Sequence, residues 1–206
     1  QDVSGEVISW RHDFHQNPEL SNREFRTSRM VAEHLRALGF DEVNTGIAHT
    51  GVIGVLKGGR PGGVVALRAD MDALPVKEKT GLVFASTATG EYHGETVPVM
   101  HACGHDAHTA MLMGVASVLA GIRDDIPGTV SLIFQPAEEG APAPEEGGAR
   151  IMLQEGALAT AHHPSAIFGL HVWPREAGKI LYRPLGAMAA ADVIEITVTG
   201  KQTHGS

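Results

Sequence analysis

The sequence predicts an α/β sandwich built around a mixed sheet. Helical and β-type segments alternate along the chain, segment 106–122 is almost entirely apolar, and Gly and Pro bound the β-branched runs. A helix that is apolar on nearly all sides is typical of a protein interior, where it covers a sheet. The predicted order of elements is α-α-β-β-α-β-α-β.

Two helices are predicted to open the chain. The first ends in HQNPEL, near residue 17, and the second follows Ser21 and Glu24, which have the spacing of a capping box. Apolar residues then recur at helical spacing from Phe25 to Leu38, and Gly39 indicates the end of the helix. Ser21 and Glu24 are therefore expected to cap the second helix.

Strands are predicted from β-branched runs between turn residues. TGVIGVLKGG and GGVVALRAD flank the turn-forming KGGRPGG, which favours an antiparallel hairpin. A Pro/Gly/Glu loop, residues 135–148, leads into a short helix at 149–155. Further strands are predicted at TVSLIF (129–134), AIFGLHVWP, GKILYRP and DVIEITVTG.

The last predicted strand suggests a second domain. DVIEITVTG follows the small-residue run LGAMAAA and would have an unpaired edge if the fold stopped at KQTHGS. We therefore predict one domain over residues 1–186 and the beginning of another over residues 187–206.

Composition limits the classes of partner. The 206 residues carry a formal net charge of −8, with 16 Lys and Arg and no basic run, so neither nucleic acid nor a membrane is an expected partner. No apolar run is long enough to span a bilayer. The single cysteine excludes an internal disulfide framework and suits a reducing, cytoplasmic location. The chain opens on Gln1, so a removed signal peptide and an exported or periplasmic location stay open.

Residue types that bind metals occur in four stretches, each at the end of a predicted strand or in a loop after one. Such stretches can meet beyond the carboxyl ends of strands in an open α/β sheet, where sites are built. They are RADMDALP (Asp70, Asp72), HACGHD (Cys103, His105, Asp106), PAEEG (Glu138, Glu139) and GLHVWP (His171).

A thiolate, imidazoles and carboxylates together suit divalent Zn, Mn, Co or Ni. Cys103 and His105 are two positions apart, so both can reach one pair of ions from a turning loop. Glu138 and Glu139 are adjacent, so we expect their side chains to point in different directions, which would let one bind metal while the other handles a proton. Metal-assisted hydrolysis needs this division, because the ions acidify water and polarise a carbonyl while a free carboxylate moves the proton.

Each stretch also has a simpler interpretation. Cys103 could be a small buried apolar residue, and a nucleophilic pair with His105 is weaker because side chains two apart seldom have the required geometry. Glu138 and Glu139 could be solvated loop residues, and His171 could be a core histidine. The coincidence of four stretches in one domain favours the metal site, with His101 and His108 as candidate supporting residues.

Five segments together closely resemble the metallo-aminoacylase and carboxypeptidase family, in the branch of hippurate hydrolase, auxin-conjugate hydrolases and N-acetyldiaminopimelate deacetylase. They are RHDFHQNPELSNREFRT, RADMDALPV, HACGHDAHTAML, FQPAEEGAPAPEEGGA and GLHVWP. The resemblance implies a zinc-peptidase-like three-layer sandwich with a smaller α/β domain that dimerises or acts as a lid. It also implies two divalent metal ions, a homodimer or higher homo-oligomer, and hydrolysis of the amide of an N-acyl amino acid.

The family's functional residues carry over by motif. Cys103, His105, Glu139 and His171 match metal ligands, and Glu138 matches the general base. Asp72 matches an orienting aspartate, whereas Asp70 stands where distant relatives have a histidine ligand. His204, in GKQTHGS, matches a histidine of the smaller domain that polarises the scissile carbonyl.

The family's last metal-ligand histidine and most of its smaller domain have no counterpart here. We therefore expect residues 1–186 to be the N-terminal part of a catalytic domain within a longer protein. Two alternatives stay open, namely a metallo-exopeptidase acting on short peptides and a non-catalytic binding protein that retains the fold.

Overall fold

The computed structural model describes residues 2–186 and 196–201. The chain divides into two units, Gln1–Val172 and Trp173–Ser206, and every helix and strand of the described residues belongs to the first. None of the helices in the described ranges is long and apolar enough to cross a lipid bilayer. The domain boundary at residues 186 and 187 stays a prediction, because residues 187–195 lie outside the described ranges.

Helices and strands alternate as expected from the sequence. The helices are α1 (Ser4–Gln16), α2 (Phe25–Ala37), α3 (His105–Gly121), α4 (Gly148–Gln154) and α5 (Ala157–Thr160), with a 3-10 turn at Arg123–Asp125. The strands are β1 (Glu42–Ile47), β2 (Gly51–Lys57), β3 (Arg60–Asp70), β4 (Thr89–Tyr92), β5 (Glu95–Pro98), β6 (Pro127–Gln135) and β7 (Ala166–Gly169). Strands β1, β4 and β5 were not predicted.

The main sheet is mixed, which confirms the predicted fold class. Its strands lie in the order β1-β2-β6-β3-β7, and β4 and β5 form a separate antiparallel pair. Strand β2 is antiparallel to β1 and β6, whereas β3 is parallel to both β6 and β7. The carboxyl ends of β3, β6 and β7 therefore lie at one edge of the sheet.

The predicted hairpin of β2 and β3 is wrong, because β6 lies between the two strands. The glycines that indicated a tight turn instead make room for the start of β6. A Cβ on Gly62 would lie 2.5 Å from the backbone nitrogen of Gly128, and a Cβ on Gly58 would overlap the backbone oxygen of Ile126. Close backbone contact of this kind excludes any larger residue.

Helices cover both faces of the sheet and so produce three layers. Val52 and Leu56 of β2 belong to the apolar cluster formed with α1, α2 and α3. Ile53 and Val55, on the other face of the strand, belong to the cluster formed with α4 and α5. This alternation is the period of two expected of a strand that is buried on both sides.

Two local predictions are wrong. The side chains of Ser21 and Glu24 make no capping bond to α2. Residues 178–184, the GKILYRP segment, contain no strand, and their apolar side chains, including Ile180 and Tyr182, are exposed. The predicted strand DVIEITVTG lies partly outside the described residues, and its described portion, 196–200, is not a strand.

Candidate metal centre

The predicted site residues lie at the edge where β3, β6 and β7 end. Asp72 comes two residues after β3, Glu138 three residues after β6, and His171 two residues after β7. Helix α3 begins at this edge with His105, immediately after Cys103 and Gly104. The prediction that the four stretches converge is therefore confirmed.

Cys103, His105 and His171 form the first group of potential metal ligands. The Sγ atom of Cys103 lies 3.4 Å from Nε2 of His171. One ligand atom from each of the three residues lies within 4.8 Å of the others. Cys103 and His171 are partly exposed, whereas His105 is fully buried, so solvent reaches this group at Cys103 and His171.

His105 also belongs to a second group, with Glu138 and Glu139. Its Nδ1 nitrogen donates a hydrogen bond to the backbone oxygen of Asp72 at 2.9 Å and lies 3.2 Å from Oδ1 of the same residue. The other ring nitrogen, Nε2, lies 3.7 Å from Oε2 of Glu138 and 3.9 Å from Oε1 of Glu139. The bond to Asp72 therefore directs Nε2 toward both carboxylates.

Asp72 connects three parts of the site through its buried carboxylate. Besides its contact with His105, it accepts hydrogen bonds at Oδ2 from the Ser21 hydroxyl at 2.7 Å and the Glu139 backbone nitrogen at 2.9 Å. Burial opposes its charge, but the bonds from His105, Ser21 and Glu139 outweigh burial and lower the pKa of Asp72 below its ordinary value. Asp72 is therefore an ionised anchor.

The electrostatic field of the site favours a positive charge at its centre. Burial opposes a charged His105, but the hydrogen bond and charge of Asp72, with the charges of Asp70 and Glu139, raise the pKa of His105 to about 9. Burial, together with the charge of Glu139, raises the pKa of Cys103 to about 12. The raised pKa of Cys103 opposes the thiolate that a nucleophilic cysteine needs, and a bound cation would favour that thiolate.

The side chains fit a bound metal in a second respect. Within residues 2–186 and 196–201, Nε2 of His105 and Oε1 of Glu139 are buried without a hydrogen-bond partner. Such orphaned atoms are rare in proteins, and a metal ion would coordinate both. The residues present therefore suit a metal ion.

Gly104 allows α3 to begin close to the segment that carries His171. Its φ of 98° lies in the left-handed region, and an added Cβ would overlap Cγ2 of Val172. His108, one turn into α3, accepts a hydrogen bond at Nε2 from the Val172 backbone nitrogen at 3.0 Å. Helix α3 therefore holds the backbone next to His171 as well as His105.

Asp70, His105 and His108 form a third group of potential ligands, and all three are buried. Asp70 forms an ion pair with Arg68, yet burial raises the pKa of Asp70 to about 7. Burial and the proximity of His171 lower the pKa of His108 to about 3, so its ring is neutral at physiological pH. Asp70 and His108 therefore line the site, as the sequence suggested for His108.

Asp106 and His101 do not belong to the three groups of potential ligands that the described residues form. Asp106 turns away from the three groups and accepts hydrogen bonds from Nε of Arg11 at 2.9 Å and from Nδ1 of His15 at 2.8 Å. His101 is buried, and burial lowers its pKa to about 4. His204 lies outside the described residues.

The sequence analysis missed the supporting role of the segment before α2. Ser21 and Glu24 were assigned to a helix cap, but Ser21 binds Asp72 and Glu24 binds the backbone of Ala137. Their spacing matched a familiar local motif, and nothing in the sequence showed that the two side chains point to distant loops. The family resemblance includes the segment RHDFHQNPELSNREFRT, which contains both residues, and this was the one signal that the segment matters.

A three-layer α/β sandwich with Cys, His and Glu side chains gathered at the carboxyl edge of its sheet is the architecture of a zinc-peptidase-like domain with a candidate metal centre. The profile of Peptidase family M20/M25/M40 matches residues 66–200. The chain belongs to this family, which confirms the resemblance found in the sequence.

Individual relatives agree with this assignment. The chain is 43% identical over 208 residues, its whole length and 51% of the relative, to an N-acyl-L-amino acid amidohydrolase of Geobacillus stearothermophilus. It is also 43% identical to thermostable carboxypeptidase 2 of Saccharolobus solfataricus, over 210 residues. This match covers the whole of this chain and 49% of the carboxypeptidase. The chain thus spans about half the length of these relatives.

A solved structure with similar architecture is the Bacillus subtilis YXEP protein, described as a dinuclear metal binding peptidase of the same family. The TM-score is 0.70 at 42% sequence identity, and the match covers 82% of this chain and 43% of that one. The fold described above is therefore that of a family member of known structure.

Proposed function

We propose that this protein is a metal-dependent amidohydrolase that cleaves the amide bond of N-acyl amino acids to a carboxylic acid and an amino acid. One observation carries the proposal. A buried His105 nitrogen and a buried Glu139 oxygen without hydrogen-bond partners lie beside Glu138, whose side chain is 40% exposed. A site of this kind combines atoms suited to a metal with a carboxylate that solvent and substrate can reach.

We propose Cys103, His105, Glu139 and His171 as the ligands of two divalent ions, which would be Zn, Mn, Co or Ni. Thiolate, imidazole and carboxylate donors suit these borderline metals. When bound, the ions would acidify a water molecule and polarise the amide carbonyl. The relatives of Bacillus subtilis and Geobacillus stearothermophilus support both the dinuclear site and the amide substrate.

Glu138 is the proposed general base. Its carboxylate takes a proton from the attacking water and then delivers it to the nitrogen that leaves. Its exposure supports this role, since a base must exchange protons with substrate, whereas the side chain of Glu139 is only 20% exposed. Asp72 keeps His105 oriented, and His204 is proposed, from the family resemblance alone, to donate a hydrogen bond to the substrate carbonyl.

Exopeptidase activity on short peptides is a second candidate, favoured by the equal identity to a carboxypeptidase and to an amidohydrolase. The chemistry at the amide would be the same for both substrates, so the proposed residue roles do not change. A homodimer or higher homo-oligomer and a cytoplasmic location also remain proposals.

The experiment measures amine release by the intact, metal-loaded protein from hippurate, N-acetyl amino acids and dipeptides. We expect turnover of the N-acyl amino acids, loss of turnover after chelation, and recovery on adding Zn, Mn, Co or Ni. Glu138→Gln should abolish turnover while the metal content by elemental analysis stays unchanged. Glu146→Gln, at an exposed position of the same loop, is the matched control and should keep full activity.

Three outcomes would contradict the proposal. Turnover of dipeptides alone would favour the exopeptidase, and substrate binding without turnover would favour a non-catalytic binding protein. Full activity of Glu138→Gln would exclude Glu138 as the base.

A further inference from the structure

Glu24 is a fully buried carboxylic acid outside the proposed ligand set. Its side chain accepts a hydrogen bond from the Thr50 hydroxyl at 2.5 Å and another from the backbone nitrogen of Ala137 at 2.8 Å. A buried carboxyl group without partners is costly, so these two bonds are what make its burial tolerable. The bond to Ala137 connects the start of α2 to the loop that carries Glu138 and Glu139.

The backbone at Ala137 requires such support. Ala137 has a φ of 48°, in the left-handed region that residues other than glycine rarely adopt, and it is 4% exposed. Its N–H group is buried and needs an acceptor, which Glu24 supplies. A conformation of this kind persists only where the surroundings hold it.

Two backbone hydrogen bonds therefore hold the turn around Glu138. The nitrogen before Glu138, that of Ala137, donates to Glu24, and the nitrogen after it, that of Glu139, donates to Asp72. Both acceptors are buried carboxylates from distant parts of the chain. In this turn, Oε2 of Glu138 lies 3.7 Å from Nε2 of His105, and Oε1 of Glu139 lies 3.9 Å from the same nitrogen.

We propose that Glu24 is a positioning residue, which fixes the 137–139 turn so that Glu138 stays available as the base while Glu139 faces the metal. The proposal rests on the proposed function for the role of Glu138. Burial also raises the pKa of Glu24 to about 7. The turn needs one hydrogen-bond acceptor for the Ala137 N–H at this place, and a neutral side-chain oxygen can supply it.

Three substitutions separate positioning from simple packing. Glu24→Gln keeps an acceptor for the Ala137 N–H and gains a donor for the Thr50 oxygen, so it preserves the turn. Glu24→Met has a similar volume but removes both acceptors. Thr50→Val is the matched control, because it removes the other bond of the same carboxyl group and leaves the Ala137 bond in place.

The experiment uses the intact, metal-loaded protein and two measurements. Hydrogen–deuterium exchange of a peptide covering residues 136–140 reports the turn, and kcat and KM for an N-acyl amino acid report catalysis. For Glu24→Met we expect faster exchange in this peptide and a kcat lower by about 100-fold, with KM changed less than about twofold, because misplacing a base affects the chemical step. Glu24→Gln and Thr50→Val should match the wild type in both measurements.

If Glu24→Met does not fold, Glu24→Asp replaces it, since the shorter side chain keeps the carboxyl group but cannot reach both partners. The proposal is overturned if exchange of residues 136–140 is unchanged in the Met or Asp variant, or if Glu24→Gln is as impaired as either. If the wild type hydrolyses no N-acyl amino acid, the proposed function fails, and the exchange measurement still decides whether Glu24 holds the turn.

Discussion

Nδ1 of His105 donates a hydrogen bond to the backbone oxygen of Asp72 at 2.9 Å and lies 3.2 Å from its carboxylate. A histidine that binds a metal through one nitrogen commonly donates the other N–H to a carboxylate or carbonyl, and this fixes the ring and the tautomer. In this protein one residue supplies both kinds of acceptor. The orientation of His105 therefore depends directly on Asp72.

Asp72→Asn should weaken metal binding by about 10- to 100-fold. An asparagine offers only one oxygen. Its amide N–H groups would face either the Ser21 hydroxyl and the Glu139 N–H, which both donate to Oδ2 of Asp72, or Nδ1 of His105, which lies next to Oδ1. Competition with a chromophoric chelator measures the affinity. Asp124→Asn, at an exposed position, is the control, and equal affinities of the two variants would contradict the role of Asp72.

Cys103→Ala should lower the metal content of the purified protein or change which metal it holds. The sulfur atom lies 3.4 Å from Nε2 of His171, and without it that region of the site has lost its only thiolate donor. Elemental analysis after dialysis against trace metal measures the stoichiometry. An unchanged amount and identity of metal would exclude Cys103 as a ligand.

Gly104→Ala should destabilise the folded protein and should also weaken its metal binding. The substitution puts a Cβ into the space of Val172 and at a φ of 98°, so the chain next to His171 must shift. We expect a loss of about 1–3 kcal/mol in the free energy of unfolding, measured by denaturant titration. Gly121→Ala, at the end of the same helix with open space around the added Cβ, should have little effect.

Glu24→Gln should stabilise the protein more at pH 8 than at pH 5. Burial raises the pKa of Glu24 in the folded state to about 7 from 4.5, so the wild type loses stability as the pH rises through this range. The contribution of Glu24 is fully present below pH 4.5 and is lost above pH 7, whereas glutamine does not titrate. The difference in free energy of unfolding should grow by an amount on the order of 3 kcal/mol.

Chemical denaturation of the wild type and Glu24→Gln at a series of pH values measures this difference. The two stability curves should diverge between pH 5 and pH 7 and run parallel above that range. A difference that does not change with pH would show that Glu24 has an ordinary pKa in the folded protein.

The sequence was sufficient to predict those parts of the fold that depend on local patterns. The apolar run of α3 and the β-branched runs of β2, β3 and β6 each produced the predicted element. Strand order was not predictable in the same way, because β6 enters between β2 and β3 from a part of the chain more than 50 residues away. The glycines at 58–62 could not decide between the two arrangements, because a tight turn and a close approach of two backbones both favour glycine in the sequence.

For the candidate site, the residue types and the ends of strands were sufficient to predict which side chains would meet. The four stretches do converge, and His105 lies at the centre of all three potential ligand groups. The supporting roles of Ser21 and Glu24 were not predictable, because both residues act through hydrogen bonds to loops far along the chain. A capping-box spacing describes only neighbouring residues and cannot indicate such partners.

The parallel arrangement of β3, β6 and β7 has a consequence for when the proposed metal site can form. Cys103 and His171 are separated by 68 positions, and His105 and Asp72 by 33, so no short segment presents the whole ligand set before the sheet has formed. Non-local contacts of this kind form slowly during folding. At the proposed metal site, tight binding of ions would thus come late in folding, and metal uptake during refolding should report completion of the native topology.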